Sequence, residues 1–194
     1  MIKLFLKKLI NYLSISFGGK MFKNIFKSVM PFFFLLLVAF SQNSYAQLSG
    51  SYTIPGAPFA TVKSAIDSLN LVGVGGSGVT FNVTAGYTET TTDSLVLTAT
   101  GTVSAPIVFQ TAGGGANPKI TRTDAGSKTT ATLGGQGDAV ITIQGSDYVT
   151  FNGIDVAADQ STIEYGYYLR KVDGTNGCKY VTIKNATIDM TKAT

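Results

Sequence analysis

The chain has 194 residues, enough for one domain of ordinary size, and carries a formal charge of +4. That charge comes from a basic leader before Ala46, since residues 47–194 hold nine Lys and Arg against eleven Asp and Glu, a net charge of −2. Apart from the leader, the sequence has no basic cluster, which excludes nucleic-acid binding. The single Cys excludes an intrachain disulfide. The absence of His excludes Ser-His-Asp catalysis and His-based zinc sites.

Residues 21–46 have the pattern of a secretory signal peptide. Two lysines precede the apolar run Met30–Phe40, and small residues stand at Ser44 and Ala46. A membrane anchor is the alternative, but this run spans only roughly 17 Å of a hydrocarbon core roughly 30 Å thick. We therefore expect cleavage between Ala46 and Gln47, a secreted or cell-surface protein, and membrane contact only during export.

Residues 1–20 precede a complete signal that begins with its own methionine, Met21. Our hypothesis is that translation starts at Met21 and that residues 1–20 are a doubtful upstream extension. A long, basic first region that starts at Met1 is the alternative. The mass of the intact precursor distinguishes the two.

One short helix is predicted early in the exported part. Thr61 has a side chain suited to an N-cap, and Gly73 supplies a stop. Between them, apolar residues recur at helical spacing, at Val62, Ala65, Ile66 and Leu69.

The rest of residues 47–194 is rich in Thr, Gly, Val, Ile and Asn, which favours strands and turns. Short apolar or alternating segments bounded by turn residues predict strands at Val79–Val83, Ser94–Thr98, Pro106–Gln110, Lys119–Arg122, Ala139–Ile143, Tyr148–Val156, Tyr167–Lys171 and Tyr180–Met190. No helical pattern separates them, which leaves a sandwich, a barrel or a solenoid. The run Gly73–Gly78 lacks the Gly-Lys-Ser/Thr of a phosphate loop and is predicted to be a flexible link; Gly113–Pro118 and Gly134–Asp138 are predicted turns.

An internal repeat favours the solenoid. The segment that starts at Tyr148 resembles the one that starts 32 residues later at Tyr180, and the Ile-Asp pairs that follow are 34 residues apart. A coil of a parallel β-helix takes about this many residues, and like residues then stack roughly 4.8 Å apart. The side chains expected to point inward are Val149, Phe151, Ile154, Val181, Ile183 and Ile188.

Two stretches resemble the right-handed parallel β-helix superfamily that includes pectate lyases and pectinesterases. The first is Phe59–Ile66 followed by Val79–Val83 and the turn Gly86–Glu89, similar to the capping helix and first strand of such proteins; the second is the repeat. The chain is also similar to large exported, adhesin-like surface proteins of Bacteroidetes. The resemblance implies an all-β, right-handed parallel β-helix with a short capping helix, of which residues 47–194 form the N-terminal part. Because the last predicted coil is incomplete at Thr194, we expect a truncated fragment.

Two groups of side chains are candidate sites. Asp155 and Asp189 are expected at matching positions on adjacent coils, where stacked carboxylates suit a hard cation such as Ca²⁺; the alternative is two solvated bend residues. A second group, Tyr165, Tyr167 and Tyr168, suggests a platform on which sugar rings stack; the alternative is one inward tyrosine and two that line the coil.

These observations favour a structural, adhesive or glycan-binding role, with an extracellular glycan or a surface protein as partner. The alternative is a carbohydrate-active enzyme, a polysaccharide lyase or a pectinesterase-like protein, whose catalytic residues lie beyond Thr194. The catalytic sequence of those families is not present here, so no catalytic residue is assigned. Apart from Ca²⁺, no cofactor is expected.

Overall fold

The computed structural model describes residues 46–124 and 138–191, all within one compact unit. The signal peptide, the upstream extension and most of the predicted turn Gly134–Asp138 lie outside the described residues. Within them the chain is mostly β, with one helix, as the composition predicts.

The helix, α1 (Val62–Val72), has the predicted boundaries. The Thr61 side chain accepts a hydrogen bond from the Ser64 backbone N–H at 3.0 Å, and Ser64 Oγ accepts one from the Thr61 N–H at 3.2 Å, which forms a capping box. The helix ends at Gly73, where φ is 74°. Its four predicted apolar residues are buried, so its inner face packs on the core.

The strands run in chain order through the described residues. They are β1 (Leu48–Ile54), β2 (Val74–Thr84), β3 (Thr88–Thr91), β4 (Leu95–Leu97), β5 (Ile107–Ala112), β6 (Lys119–Arg122), β7 (Ala139–Gln144), β8 (Val149–Asn152), β9 (Asp155–Ala158), β10 (Tyr165–Arg170), β11 (Thr182–Lys184) and β12 (Ile188–Met190). Each predicted segment overlaps at least one strand. Two of them, Tyr148–Val156 and Tyr180–Met190, each divide into two strands at a corner residue with positive φ, Gly153 and Asn185 respectively.

The described strands form three parallel sheets. The first sheet has the order β1-β2-β5-β8-β11, the second β3-β6-β9-β12 and the third β4-β7-β10. From β2 onward the chain visits the first, second and third sheets in turn and then begins again. We call each round a circuit: β2 to β4, β5 to β7, β8 to β10, and then β11 and β12.

Aromatic rings stack along the interior from one circuit to the next. The ring centroids of Phe81 and Phe109 lie 4.6 Å apart, those of Phe109 and Phe151 lie 5.0 Å apart, and all three side chains are fully buried. Tyr52 of β1 stacks on Phe81 at 5.7 Å. Each buried Phe contributes about 1.5–3 kcal/mol through loss of apolar surface from water, so this column is a principal source of stability.

The helix covers one edge of the third sheet. The Nδ2 of Asn70 donates to the Val96 carbonyl of β4 at 2.7 Å, and its Oδ1 accepts from the N–H groups of Thr98 and Ala99 at 2.8 and 3.1 Å. An amide side chain thus satisfies backbone groups that an edge strand otherwise leaves unpaired.

The Gly-rich run Gly73–Gly78 is not the flexible link that the sequence predicts. Strand β2 begins within it at Val74, which pairs with Leu48 of β1, a strand that the sequence did not predict. A Cβ at Gly75 would lie 3.2 Å from the Cβ of Ser49, so this glycine permits the close approach of the two strands. The predicted turn Gly86–Glu89 likewise runs into strand β3.

The last described circuit is less covered than the others. Val181 and Ile183 pack, half-buried, against the core, whereas Ile188 is 52% exposed. Among the described residues β12 has a neighbour on one side only, which leaves this isoleucine open although Val156, its register partner, is fully buried.

Candidate functional site

Two tyrosines of β10 form a stacked pair at the surface. The ring centroids of Tyr165 and Tyr168 lie 4.9 Å apart, with an angle of 18° between the ring planes. Tyr165 is 41% exposed and Tyr168 is half-buried. The pair leaves aromatic surface accessible to a ligand.

Tyr167, the third tyrosine of the predicted platform, belongs to the interior. Its ring packs on Phe151 with a centroid distance of 5.4 Å, and its hydroxyl donates to the Ile154 carbonyl at 2.7 Å. Burial, and secondarily the charge of Asp155, raise the pKa of Tyr167 above its ordinary value. The arrangement matches the alternative in which one tyrosine points inward.

Asp155 and Asp189 do not occupy matching positions, so that part of the prediction is wrong. Asp189 pairs with Ala157, and Ile188 pairs with Val156. Paired residues stay 32 positions apart both before the corner, at Thr150–Thr182, and after it. The offset is kept because Asn185 adopts the same left-handed conformation as Gly153, so the two bends have equal length. The Ca²⁺ site remains a prediction, without the stacked carboxylates on which it was based.

Asp155 instead belongs to a hydrogen-bond network that joins three circuits. Its Oδ1 accepts from Asn117 Nδ2 at 2.9 Å and from the Thr187 N–H at 2.8 Å. The same Nδ2 also donates to the Asn185 carbonyl at 2.8 Å. Across residues 46–124 and 138–191, no three His, Cys, Asp or Glu side chains come together as a metal-binding group.

Glu89 is buried, and both of its oxygens bind the helix. Oε2 accepts from the Val62 N–H at 2.7 Å, and Oε1 accepts from the Lys63 N–H at 3.0 Å, so the carboxylate caps the positive end of the helix dipole. The Tyr87 hydroxyl lies 3.4 Å from Oε2. Desolvation, followed by the charge of Glu89, raises the pKa of Tyr87 to about 12. The segment Gly86–Glu89 thus has a structural role in this chain.

Arg122 is another buried charged side chain, and its contacts are structural. Its Nε and Nη2 donate to the two carboxylate oxygens of Asp124 at 2.5 and 2.9 Å, and Nη1 donates to the Ala139 carbonyl at 2.7 Å. The hydrogen bonds to Asp124 raise the pKa of Arg122, against the effect of burial. This guanidinium holds the start of β7 against the end of β6.

The outer face of the first sheet carries two columns of mostly polar side chains. They alternate along each strand with the buried residues, as in β8, where Val149 and Phe151 are buried while Thr150 and Asn152 are half-buried. One column is Ser51, Thr80, Val108, Thr150 and Thr182; the other is Thr53, Asn82, Gln110, Asn152 and Lys184. Lys184 is the one charged member of these columns, so the face is close to neutral.

Hydrogen bonds between side chains run along this face. Asn82 Nδ2 donates to Ser51 Oγ at 2.7 Å, and Gln110 Nε2 donates to Asn82 Oδ1 at 2.9 Å. Further along, Asn185 Nδ2 donates to Asn152 Oδ1 at 2.8 Å. The sequence contains a signal for these columns, because the tetrapeptide Val-Thr-Phe-Asn occurs both at Val79–Asn82 and at Val149–Asn152.

A second stacked tyrosine pair joins adjacent circuits. The ring centroids of Tyr148 and Tyr180 lie 4.5 Å apart with an interplanar angle of 21°, which confirms that the two repeat starts are neighbours. Both residues have left-handed backbones, with φ of 53° and 57°. The sequence indicated the pairing but not the backbone conformation.

Comparison of the chain with protein-family models, with curated proteins and with solved structures finds no match. In the part of the chain that the structure describes, no helix has the length and apolar character needed to cross a membrane.

Proposed function

We propose that residues 47–194 form successive coils of a right-handed parallel β-helix of the pectate lyase-like type. The fixed order in which the chain visits three parallel sheets supports this, because each circuit then corresponds to one coil. The right hand follows from the strong preference of crossovers between parallel strands. An experimental structure tests the proposal, and antiparallel hairpins or left-handed circuits would contradict it.

We also propose that the protein is exported and acts at the cell surface or after secretion. The signal-peptide pattern of residues 21–46 supports this. Expression of the full chain in a secretion-competent bacterium, followed by N-terminal sequencing of the exported protein, tests it. A mature chain that starts at Gln47 is expected; retention of an uncleaved chain in the cytoplasm would contradict it.

We infer that the module has a structural and adhesive role in which it binds an extracellular, uncharged glycan. The single observation that carries this inference is the nearly neutral outer face of the first sheet, with its regular columns of hydroxyl and amide side chains. Thr80 and Thr150 stand on this face without a side-chain hydrogen bond to another described residue, so their hydroxyls remain for a ligand.

The chemistry of the face favours a carbohydrate over other partners. Hydroxyls and amides both donate and accept hydrogen bonds, which matches the hydroxyl groups of a sugar. The face lacks the charge clusters that nucleic acids or strongly charged polymers require. Strands spaced roughly 4.8 Å apart place hydroxyl or amide groups at most positions of each column, which suits a polymer of repeating units.

The exposed pair Tyr165–Tyr168 is a second contact candidate, since a tyrosine ring stacks on the apolar face of a sugar. Unlike the first-sheet face, it offers apolar area together with hydroxyls. The two surfaces are therefore tested separately.

A glycan array with the purified protein, followed by calorimetry on the best neutral polysaccharide, tests the inference. We expect the double variant Thr80→Val and Thr150→Val to weaken binding about tenfold, roughly 1.4 kcal/mol, because two hydroxyl contacts are lost while side-chain shape is kept. Thr90→Val, on the second sheet, is the matched control and should bind like the wild type. Tyr165→Ala reports on the tyrosine pair.

Binding that is unchanged in all of these variants would contradict the assignment of the surface. Binding restricted to a protein ligand would contradict the inference that the ligand is a glycan. Binding to a neutral glycan should also change little with salt, because no ion pairs are involved.

A further inference from the structure

The stacked pair Tyr148–Tyr180 brings together two phenol rings that are distant in sequence. The two residues are 32 positions apart, and their ring centroids are 4.5 Å apart. Tyr180 is 69% exposed and Tyr148 is half-buried, so a small oxidant in solution reaches both.

The backbone holds this pair in place. The Tyr148 N–H donates to the Lys179 carbonyl at 3.0 Å, and the Ile107 N–H donates to the Tyr148 carbonyl at 3.0 Å. Both tyrosines adopt the left-handed conformation that non-glycine residues rarely adopt, and therefore both side chains leave the backbone in the same direction. The rings are adjacent because the circuits are in register.

The phenol groups also interact with one another. The pKa of Tyr148 is raised by desolvation, and then by the charge and the hydrogen bond of Tyr180. The ring centroids are 4.5 Å apart and the ring planes differ by 21°, so the two phenol rings lie face to face.

We propose that Tyr148 and Tyr180 form an oxidative tyrosine–tyrosine cross-link. A one-electron oxidant of the peroxidase class, with hydrogen peroxide, removes one electron and one proton from each phenol. The two phenoxyl radicals join through a new carbon–carbon bond between ring positions ortho to the hydroxyls. The hydrogens on those carbons return as protons to the phenolic oxygens. The protein loses two hydrogens in total, and one hydrogen peroxide is reduced to two waters.

The cross-link joins the third and fourth circuits covalently. Strand β11 pairs with β8 and with no other described strand, so the fourth circuit is the least supported. A single cysteine leaves the chain without an intrachain disulfide for this purpose. The proposal is independent of glycan binding.

The pair Tyr165–Tyr168 is the internal comparison. Its rings stack at a similar distance, 4.9 Å, but the residues are three positions apart on one strand. A cross-link there closes only a small loop and joins no circuits.

The purified full chain, at high dilution, is treated with a peroxidase and hydrogen peroxide. We expect an intact mass lower by two hydrogens, dityrosine fluorescence, and a linked peptide pair that contains Tyr148 and Tyr180. Tyr180→Phe should abolish that linked pair, and Tyr165→Phe should leave it unchanged. Failure to find it, under conditions that couple free tyrosine in the same tube, would overturn the proposal, as would linkage that forms only between molecules.

A second measurement tests the consequence. Limited proteolysis after Lys184 should become roughly a hundredfold slower in the cross-linked form, as for a covalent bridge that closes a loop of this length. An unchanged cleavage rate would overturn the stabilising role.

Discussion

Replacement of Glu89 by alanine should release the N-terminus of α1 from the sheets. The carboxylate accepts two backbone hydrogen bonds, from Val62 and Lys63, at 2.7 and 3.0 Å, in a buried position. A hydrogen bond to a charged group contributes about 1.5–3 kcal/mol, and alanine leaves both N–H groups without that acceptor. We expect Glu89→Ala to lower the free energy of unfolding by about 4 kcal/mol, a large share of the roughly 5–15 kcal/mol typical of a domain.

Urea unfolding followed by circular dichroism measures this loss. Glu89→Gln keeps the side-chain volume and one acceptor oxygen, so about half of the loss is expected. Glu164→Gln is the matched control, because Glu164 is exposed and should change stability by less than about 0.5 kcal/mol. A loss below about 1 kcal/mol for Glu89→Ala would refute the capping role and show that the box formed by Thr61 and Ser64 is sufficient.

Three further outcomes follow from the same contacts. Phe109→Ala should cost about 3–5 kcal/mol because it opens a gap in the middle of the aromatic column, and a calorimetric midpoint equal to that of the wild type would contradict this. Asn117→Ala should cost about 1–3 kcal/mol in urea unfolding, since Asp155 loses a donor between circuits; an unchanged urea midpoint would argue against the network. The contribution of the Tyr87 phenol to the free energy of unfolding should be fully present below pH 10 and should fall towards pH 12. The reason is that the pKa of a tyrosine in the unfolded chain is 10.0, whereas the pKa of folded Tyr87 is raised to about 12. Tyr87→Phe should flatten that fall in pH-dependent unfolding, and an equally steep fall in the variant would refute the assignment.

The repeat that was visible in the sequence covers only part of the stacked architecture. Successive partners in the first sheet are 28 residues apart from Val79 to Ile107, 42 from Ile107 to Val149 and 32 from Thr150 to Thr182. Loops of different length between circuits hide the period, although the strands themselves are in register. The Ile-Asp dipeptides are 34 residues apart whereas the register is 32, so the predicted partner of Asp155 was misplaced by two positions.

The predicted site residues were separated by their packing. Tyr165, Tyr167 and Tyr168 lie within four positions on one strand, yet only Tyr167 meets Phe151 of the interior column. Strand alternation alone does not distinguish them, because it groups Tyr165 with Tyr167, whereas the rings that stack at the surface are those of Tyr165 and Tyr168.

Local sequence was sufficient for α1 and for the positions of most strands. Capping by Thr61, the helical spacing of apolar residues and the turn residues between strands act over a few positions, so they can be read without knowledge of distant neighbours. Only the tertiary structure decided that β1 pairs with the Gly-rich start of β2, that Glu89 binds the helix, and that Tyr148 touches Tyr180 in the left-handed conformation. Those features depend on contacts between residues that are roughly thirty positions apart, and the varied loop lengths of the circuits determine which residues meet.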